Sequence, residues 1–129
     1  MDFQSFLEMD SNMAAPNLLS LTTVTGKTTV QSITTSATAI VTNSAASGKA
    51  IKVNALYISN VNSSASATVT IDLYRSTTAY RMATALPIAP TSSLDFITKV
   101  IFLEEGDSIR LTASSNSYLE AVCSYEEVS

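Results

Sequence analysis

From residue 99 onward, apolar and polar positions alternate in short registers separated by turn-forming clusters. An apolar run at 100–103 stops at Glu104-Glu105-Gly106-Asp107, where acid repulsion and a glycine favour a turn over a strand. Ile109, Leu111 and Ala113 then alternate with Ser108, Arg110 and Thr112, the period of a half-buried strand. Ser114-Ser115-Asn116-Ser117 predicts a second turn. After it, Leu119, Ala121, Cys123 and Tyr125 alternate with Glu120, Val122, Ser124 and Glu126. Short strands joined by tight turns need other strands to cover them, so this segment predicts a sandwich or barrel.

The middle of the chain extends the pattern. Residues 43–49 read as a turn, and 50–60 as a long strand with Ile51, Val53, Ala55 and Tyr57 on one face and Leu56 and Ile58 on the other. Apolar residues on both faces predict a central strand, or one covered outside by a neighbouring subunit. Beyond a polar loop at 61–66, Val69, Ile71 and Leu73 alternate with Thr68, Thr70, Asp72 and Tyr74, which predicts an antiparallel partner. Ser76-Thr77-Thr78 turns the chain into 79–86, where Pro87 and Pro90 remove ladder donors and exclude a central position. A turn at 91–93 leads into 94–103. About seven to nine short strands at this spacing predict an antiparallel β-sandwich, either jelly-roll or immunoglobulin-like, with an extended N-terminal arm.

The N-terminal part reads differently. Phe3, Phe6 and Leu7 fall at i, i+3 and i+4, one face of a short helix that Asp2 would cap. So short a helix is unstable alone. It reads as a docking peptide that orders on a partner, or else as a frayed tail, or as the product of an upstream start codon with Met13 as the alternative beginning. Pro16 ends it. Residues 17–27 carry Leu18, Leu19 and Leu21 without alternation and read as an extended arm broken at Gly26-Lys27, with the first strand or two at 28–43. The expected division is an arm over 1–27 and a sandwich over 28–129. Phe3, Phe6, Leu7, Leu18, Leu19 and Leu21 are its candidate partner-binding residues.

Composition sharpens the class. The apolar fraction is 46% with 7% aromatics and no tryptophan, so Val, Ile, Leu and Ala must build the core. Charged residues are 14%, against roughly 25% in an average domain. Solvent-facing polarity comes from 20 Ser and 17 Thr, and Thr suits an exposed strand face where Lys and Glu favour helix. A net charge of −4 without a basic run argues against nucleic-acid binding. No stretch reaches the length of a membrane span, and no basic-then-apolar leader opens the chain, so a soluble protein made in a reducing cytoplasm is expected. The single Cys123 lies on the apolar side of its strand and reads as a core residue.

The absence of histidine removes the commonest general base, the Ser–His and Cys–His pairs and the usual zinc ligand. No phosphate loop or nucleophile elbow is present. Glu104, Glu105 and Asp107 invite a calcium reading, but their spacing fits no calcium loop, and a solvated turn is the plainer one. Glu126-Glu127 reads as a solubilising end, with Asp72 and Asp95 as glycosidase partners only by chance. Tyr57, Tyr74, Tyr80, Tyr118 and Tyr125 would mark a carbohydrate site only if grouped on one surface. No catalytic residue, metal site or cofactor is expected, and the protein is read as not an enzyme.

Several runs together carry a family likeness: Lys52-Val-Asn-Ala-Leu-Tyr-Ile-Ser-Asn-Val61, Thr68-Val-Thr-Ile-Asp72, Tyr80-Arg-Met-Ala-Thr84, residues 102–114 and the ending 119–129. With the start Met13-Ala-Ala-Pro-Asn-Leu-Leu-Ser20, they resemble small virion structural proteins of tailed phages, of the cyanophage and aquatic phage type. The resemblance covers about residues 13–129 and consists of strand and turn residues. It implies a virion protein assembled in the host cytoplasm: a capsid decoration (cement) protein on the major capsid protein, or a neck, tail or fibre component. It also fits a homo-oligomer, with a trimer as the favoured order, and neither nucleic acid nor membrane as partner. A carbohydrate-binding adhesion module is the reading from another class. Apolar residues on outward strand faces, for which Val122 and Leu56 are the candidates, would instead favour burial against protein.

Overall fold

The computed structural model describes residues 16–129, which form nine antiparallel strands in two packed sheets. They are β1 (Val24–Ser32), β2 (Thr38–Thr42), β3 (Ala50–Asn60), β4 (Ala67–Arg75), β5 (Thr78–Ile88), β6 (Ser93–Asp95), β7 (Ile101–Leu103), β8 (Ser108–Ala113) and β9 (Leu119–Val128). One sheet runs β1-β9-β3-β6, with β7 also paired to β3; the other runs β2-β8-β4-β5. The pairings are nested. β4 pairs with β5, β3 with β6 and β7, β2 with β8, and β1 with β9. An antiparallel ribbon folded about its β4–β5 hairpin and wrapped until β9 meets β3 and β8 meets β4 gives this order, which is the jelly roll. Of the two expected sandwich topologies, the jelly roll is the one formed.

The core follows the alternation read from sequence. Ile109, Leu111 and Ala113 of β8 and Leu119, Ala121, Cys123 and Tyr125 of β9 are buried with Val69 and Ile71 of β4. Strand β3 corrects the reading of two apolar faces. Its register against β9 shifts between Val53↔Tyr125 and Ala55↔Ser124, leaving Asn54 as the extra residue of a β-bulge. The bulge inverts the alternation, so Ile51, Val53, Leu56 and Ile58 all face the core while Ala55 and Tyr57 turn outward. Leu56 is therefore a core residue and not an outward one. β3 is nonetheless central, with β9 on one side and β6 and β7 on the other.

Two other boundaries differ from expectation. β1 begins at Val24, so residues 24–27 belong to the sheet, and Gly26-Lys27 is not a break: Gly26 pairs with Glu126 and Lys27 with Tyr125. A glycine costs a strand some stability but does not stop the backbone ladder. β5 continues through Pro87 to Ile88 and occupies the edge of its sheet, where the missing N–H of a proline is tolerated. On the opposite side, the β1 and β2 edges are joined by side chains. Thr29 Oγ1 donates to the Ile40 carbonyl at 3.0 Å and Gln31 Nε2 to that of Ala39 at 3.0 Å.

Two buried asparagines organise the ends of the sandwich. Asn43 Nδ2 donates to the carbonyls of Lys49 (2.8 Å) and Leu103 (2.9 Å), while its Oδ1 accepts from Ser47. Asn60 does the same after β3, donating to Ala65 and Ile88 and accepting from the Asn62 amide. Each satisfies carbonyls that the loops would otherwise leave unpaired in the interior.

The β4–β5 hairpin turns through Ser76 (φ 50°) and Thr77 (φ 61°), the two-residue type I′ geometry that strongly prefers Asn-Gly. Replacing Ser76-Thr77 with Asn-Gly is expected to stabilise the protein by about 1 kcal/mol in chemical denaturation, by relieving two left-handed residues. Conversely, Leu111→Asp places an unpaired charge at a fully buried position. A loss of roughly 3 to 5 kcal/mol is expected, and a melting curve like that of the wild type would contradict the assigned faces.

Candidate interaction surfaces

The predicted partner-binding residues separate into two groups. Phe3, Phe6 and Leu7 lie outside the described residues. Leu18, Leu19 and Leu21 lie on the segment entering β1, and the backbone explains how they are held. Asn17 caps a turn, its Oδ1 accepting from the Leu19 amide (2.9 Å) and its carbonyl from the Ser20 amide (3.0 Å). The Thr22 and Thr23 amides donate to the Ser129 carbonyl, and the Ser129 amide returns to Thr23 at 2.9 Å. These bonds extend the β1–β9 ladder and fix the turn to the end of the sheet. Leu19 is then 96% exposed, Leu18 is exposed, and Leu21 is half-buried. A large apolar side chain on a hydrogen-bonded turn makes no contribution to its own core.

A second apolar surface is only partly legible in the sequence. On the outer face of the five-stranded sheet, the registers Val30↔Val122 and Tyr57↔Val122 place three exposed apolar side chains in one row across β1, β9 and β3. Beside that row, Val30, Ser32, Glu120 and Val122 surround a shallow depression of about 310 Å³. Phe102, also exposed, stands on β7 opposite Lys52. Alternation marks Val122 as outward, as the structure finds it. Val30 and Phe102 carry no such signal, because neighbours across a sheet are far apart in sequence.

The acidic turn before β8 is not merely solvated. Asp107 is 1% exposed and is gripped by Arg75 in a bidentate pair, Nε to Oδ1 at 2.7 Å and Nη2 to Oδ2 at 2.6 Å. The same Nη2 reaches Glu104 at 2.7 Å, and the Glu104 amide donates to Asp107. Gly106, at φ 88°, lets the turn close and sends its amide to the Asn43 carbonyl. Glu104 and Asp107 are therefore committed to a guanidinium, and the three carboxylates do not converge on a cation position. Among the described residues no group of three or more His, Cys, Asp or Glu is placed to hold a metal.

The remaining chemistry is also structural. Burial pushes the Cys123 thiol up to about 11, so it stays protonated and unreactive at neutral pH. On the outer face of the four-stranded sheet, Asp72 is enclosed and paired with Arg81, and Arg110 stacks over Tyr74 at 4.2 Å. Glu127 accepts from Lys49, which with Lys27 holds its carboxyl below the ordinary value and ties the start of β3 to β1 and β9. The tyrosines are not grouped: Tyr57 belongs to one sheet, Tyr74 and Tyr80 to the other, Tyr125 to the core, and Tyr118 packs partly buried against that core from the turn before β9. No protein-family model matches the chain, and no curated protein matches its sequence.

The Arg75 clamp has a pH signature. Burial by itself would raise the Asp107 pKa. The Arg75 hydrogen bond, the Glu104 amide and the Arg75 charge outweigh it and hold the carboxyl below its ordinary 3.8. A depressed folded-state pKa adds stability that is present above the unfolded value and lost as pH falls through the folded one. The wild type is therefore expected to lose stability below about pH 4. Arg75→Met should cost roughly 2 to 3 kcal/mol at neutral pH and flatten that acid limb, as read from melting temperatures across a pH series.

Proposed function

We propose that this chain is a virion structural protein of a tailed phage, a decoration (cement) protein that binds the major capsid protein through its N-terminal arm. The observation that carries the reading is Leu19, almost fully exposed on a turn that Asn17 and Ser129 hold in place. Neighbouring Leu18 adds to the same apolar projection. An ordered apolar projection at the end of a rigid sandwich suits insertion into another protein. The likeness of residues 13–129 to small phage virion proteins supplies the class of partner. Jelly rolls also serve as lectins and cupins, so the fold alone does not choose among these functions. The separation of the tyrosines over two sheets and the core disfavours a sugar platform.

The reading is non-catalytic. The Arg75–Asp107 pair ties a loop to a strand, the Arg81–Asp72 pair ties two strands together, and Cys123 is sealed in the core. Weak contacts through a short arm gain strength when the subunit is repeated on a symmetric lattice.

Two measurements test the proposal. Quantitative mass spectrometry of purified particles should find hundreds of copies relative to the major capsid protein, on the order expected for a repeated lattice. A dozen or so would favour the neck, tail or fibre. Absence from particles would refute a virion role. Deleting residues 1–20, which stops short of the Thr22 and Thr23 bonds to Ser129, should leave the melting temperature within a few degrees of wild type yet abolish incorporation. Unchanged incorporation would show that the arm is not the attachment element.

A further inference from the structure

The outer face of the five-stranded sheet has a symmetry that its strand register makes explicit. Reading across β1, β9, β3 and then β6 or β7, one row is Val30, Val122, Tyr57, Asp95 and another is Gly26, Glu126, Lys52, Phe102. Between them lie Thr28, Ser124, Ala55 and the bulge residue Asn54, whose Nδ2 donates to Glu126 Oε1 at 3.3 Å and leaves that carboxylate without an ion pair among the described residues; on the far side are Ser32, Glu120, Ser59 and Ser93. The face is mostly small-residued, with Tyr57 and Phe102 as aromatic projections and Lys52 beside Glu126 as one opposed charge pair. Lys52 makes no ion pair among the described residues.

We infer that this face is a two-fold interface between two copies of the chain, with the axis parallel to the strands and midway between β9 and β3. Such an axis lays β9 of one copy over β3 of the other, and β1 over β6 and β7, while keeping each row opposite itself. Glu126 then faces Lys52 of the second copy, and the pair occurs twice. Val122 faces Tyr57, whose ring points at the depression that Val30, Ser32, Glu120 and Val122 surround, with Glu120 as an acceptor for its hydroxyl. Phe102 faces Gly26, where a side chain would meet no atom within 4 Å. Asp95 beneath Val30 does not oppose the contact, because its Oδ1 is turned back onto the amides of Leu56 and Ile97. Both aromatic projections thus meet open space on the second copy, and Lys52 and Glu126 meet each other, as a self-complementary isologous contact requires.

The scale is adequate. Four strands about 4.8 Å apart and seven residues of about 3.4 Å rise give a face of roughly 20 by 20 Å. Side-chain relief brings the total buried by two copies to about 1,000 Å², the lower bound of specific interfaces. Aligned packing of two such sheets follows the same rule as within the sandwich, with strand directions within about 30°. This contact leaves Leu18 and Leu19 out of its rows, so it stands or falls separately from the attachment of the arm.

Sedimentation equilibrium of the full chain at high micromolar concentration tests it. The wild type is expected at twice the monomer mass, and Val122→Lys, a change at a partly exposed position, at the monomer mass with an unchanged melting curve. Lys52→Glu and Glu126→Lys should each weaken association at least about tenfold, because each sets like charges against one another twice. Mixing these two variants should restore dimers, since one chain then carries carboxylates at both positions and the other carries ammonium groups at both. A monomeric wild type, a trimer, or a mixture that fails to associate would overturn the inference. Should Val122→Lys fail to fold, the mixing experiment decides alone.

Discussion

The pairing of β3 with β9 is the contact on which the molecule depends. It runs from Ala50↔Val128 to Asn60↔Leu119 and joins segments about half the chain apart. The nested pairs of the ribbon are each made with a strand's own counterpart, but only this contact and β8 with β4 close the ribbon into two sheets. Such long-range closure carries a loop-entropy cost that is recovered when both inner faces are buried together. The Asn54 bulge belongs to the same constraint. Without the extra residue, Leu56 and Ile58 would point to solvent and the far half of β3 would leave the core unfilled.

Buried polar groups among the described residues are few: Asp72 joins β4 to Arg81 of β5, and three others close loops. Asn43 and Asn60 hold the loops after β2 and β3, and Asp107 fixes the turn before β8 through Arg75. The chain has few charges, and several are used this way rather than spread on the surface. The outer face of the five-stranded sheet is left largely to Ser, Thr, Ala and a few large apolar side chains, with Lys52, Glu120 and Glu126 among them. A charge-poor face with exposed apolar side chains is a poor solvent boundary and a good contact surface. This is the physical link between the composition and the proposed role in assembly.

The two proposed contacts use different parts of the molecule. The turn carrying Leu18 and Leu19 sits where β1 and β9 end, fixed through Ser129. The paired face lies across the middle of the same sheet. A subunit built this way presents attachment at a strand end and self-association on a sheet face, so the two contacts need not compete for surface.

Local rules read along the chain were enough for the β class, the strands β3, β4, β5, β8 and β9, the inward faces of β8 and β9, and the non-central position of the proline-bearing strand. Those rules are period-two alternation, turn residues, and the missing donor of proline. They misread β3, since a bulge inside an apolar run looks the same as a strand with two apolar faces. They also placed a break at Gly26 and a solvated turn at Asp107. Whether a glycine interrupts a strand, or a carboxylate is buried, depends on a partner distant in sequence: Glu126 in one case, Arg75 in the other. The choice of jelly roll over the immunoglobulin arrangement was likewise set by long-range strand pairing. So was the gathering of Val30, Val122, Tyr57 and Phe102 on one face, because only cross-strand register brings such residues together.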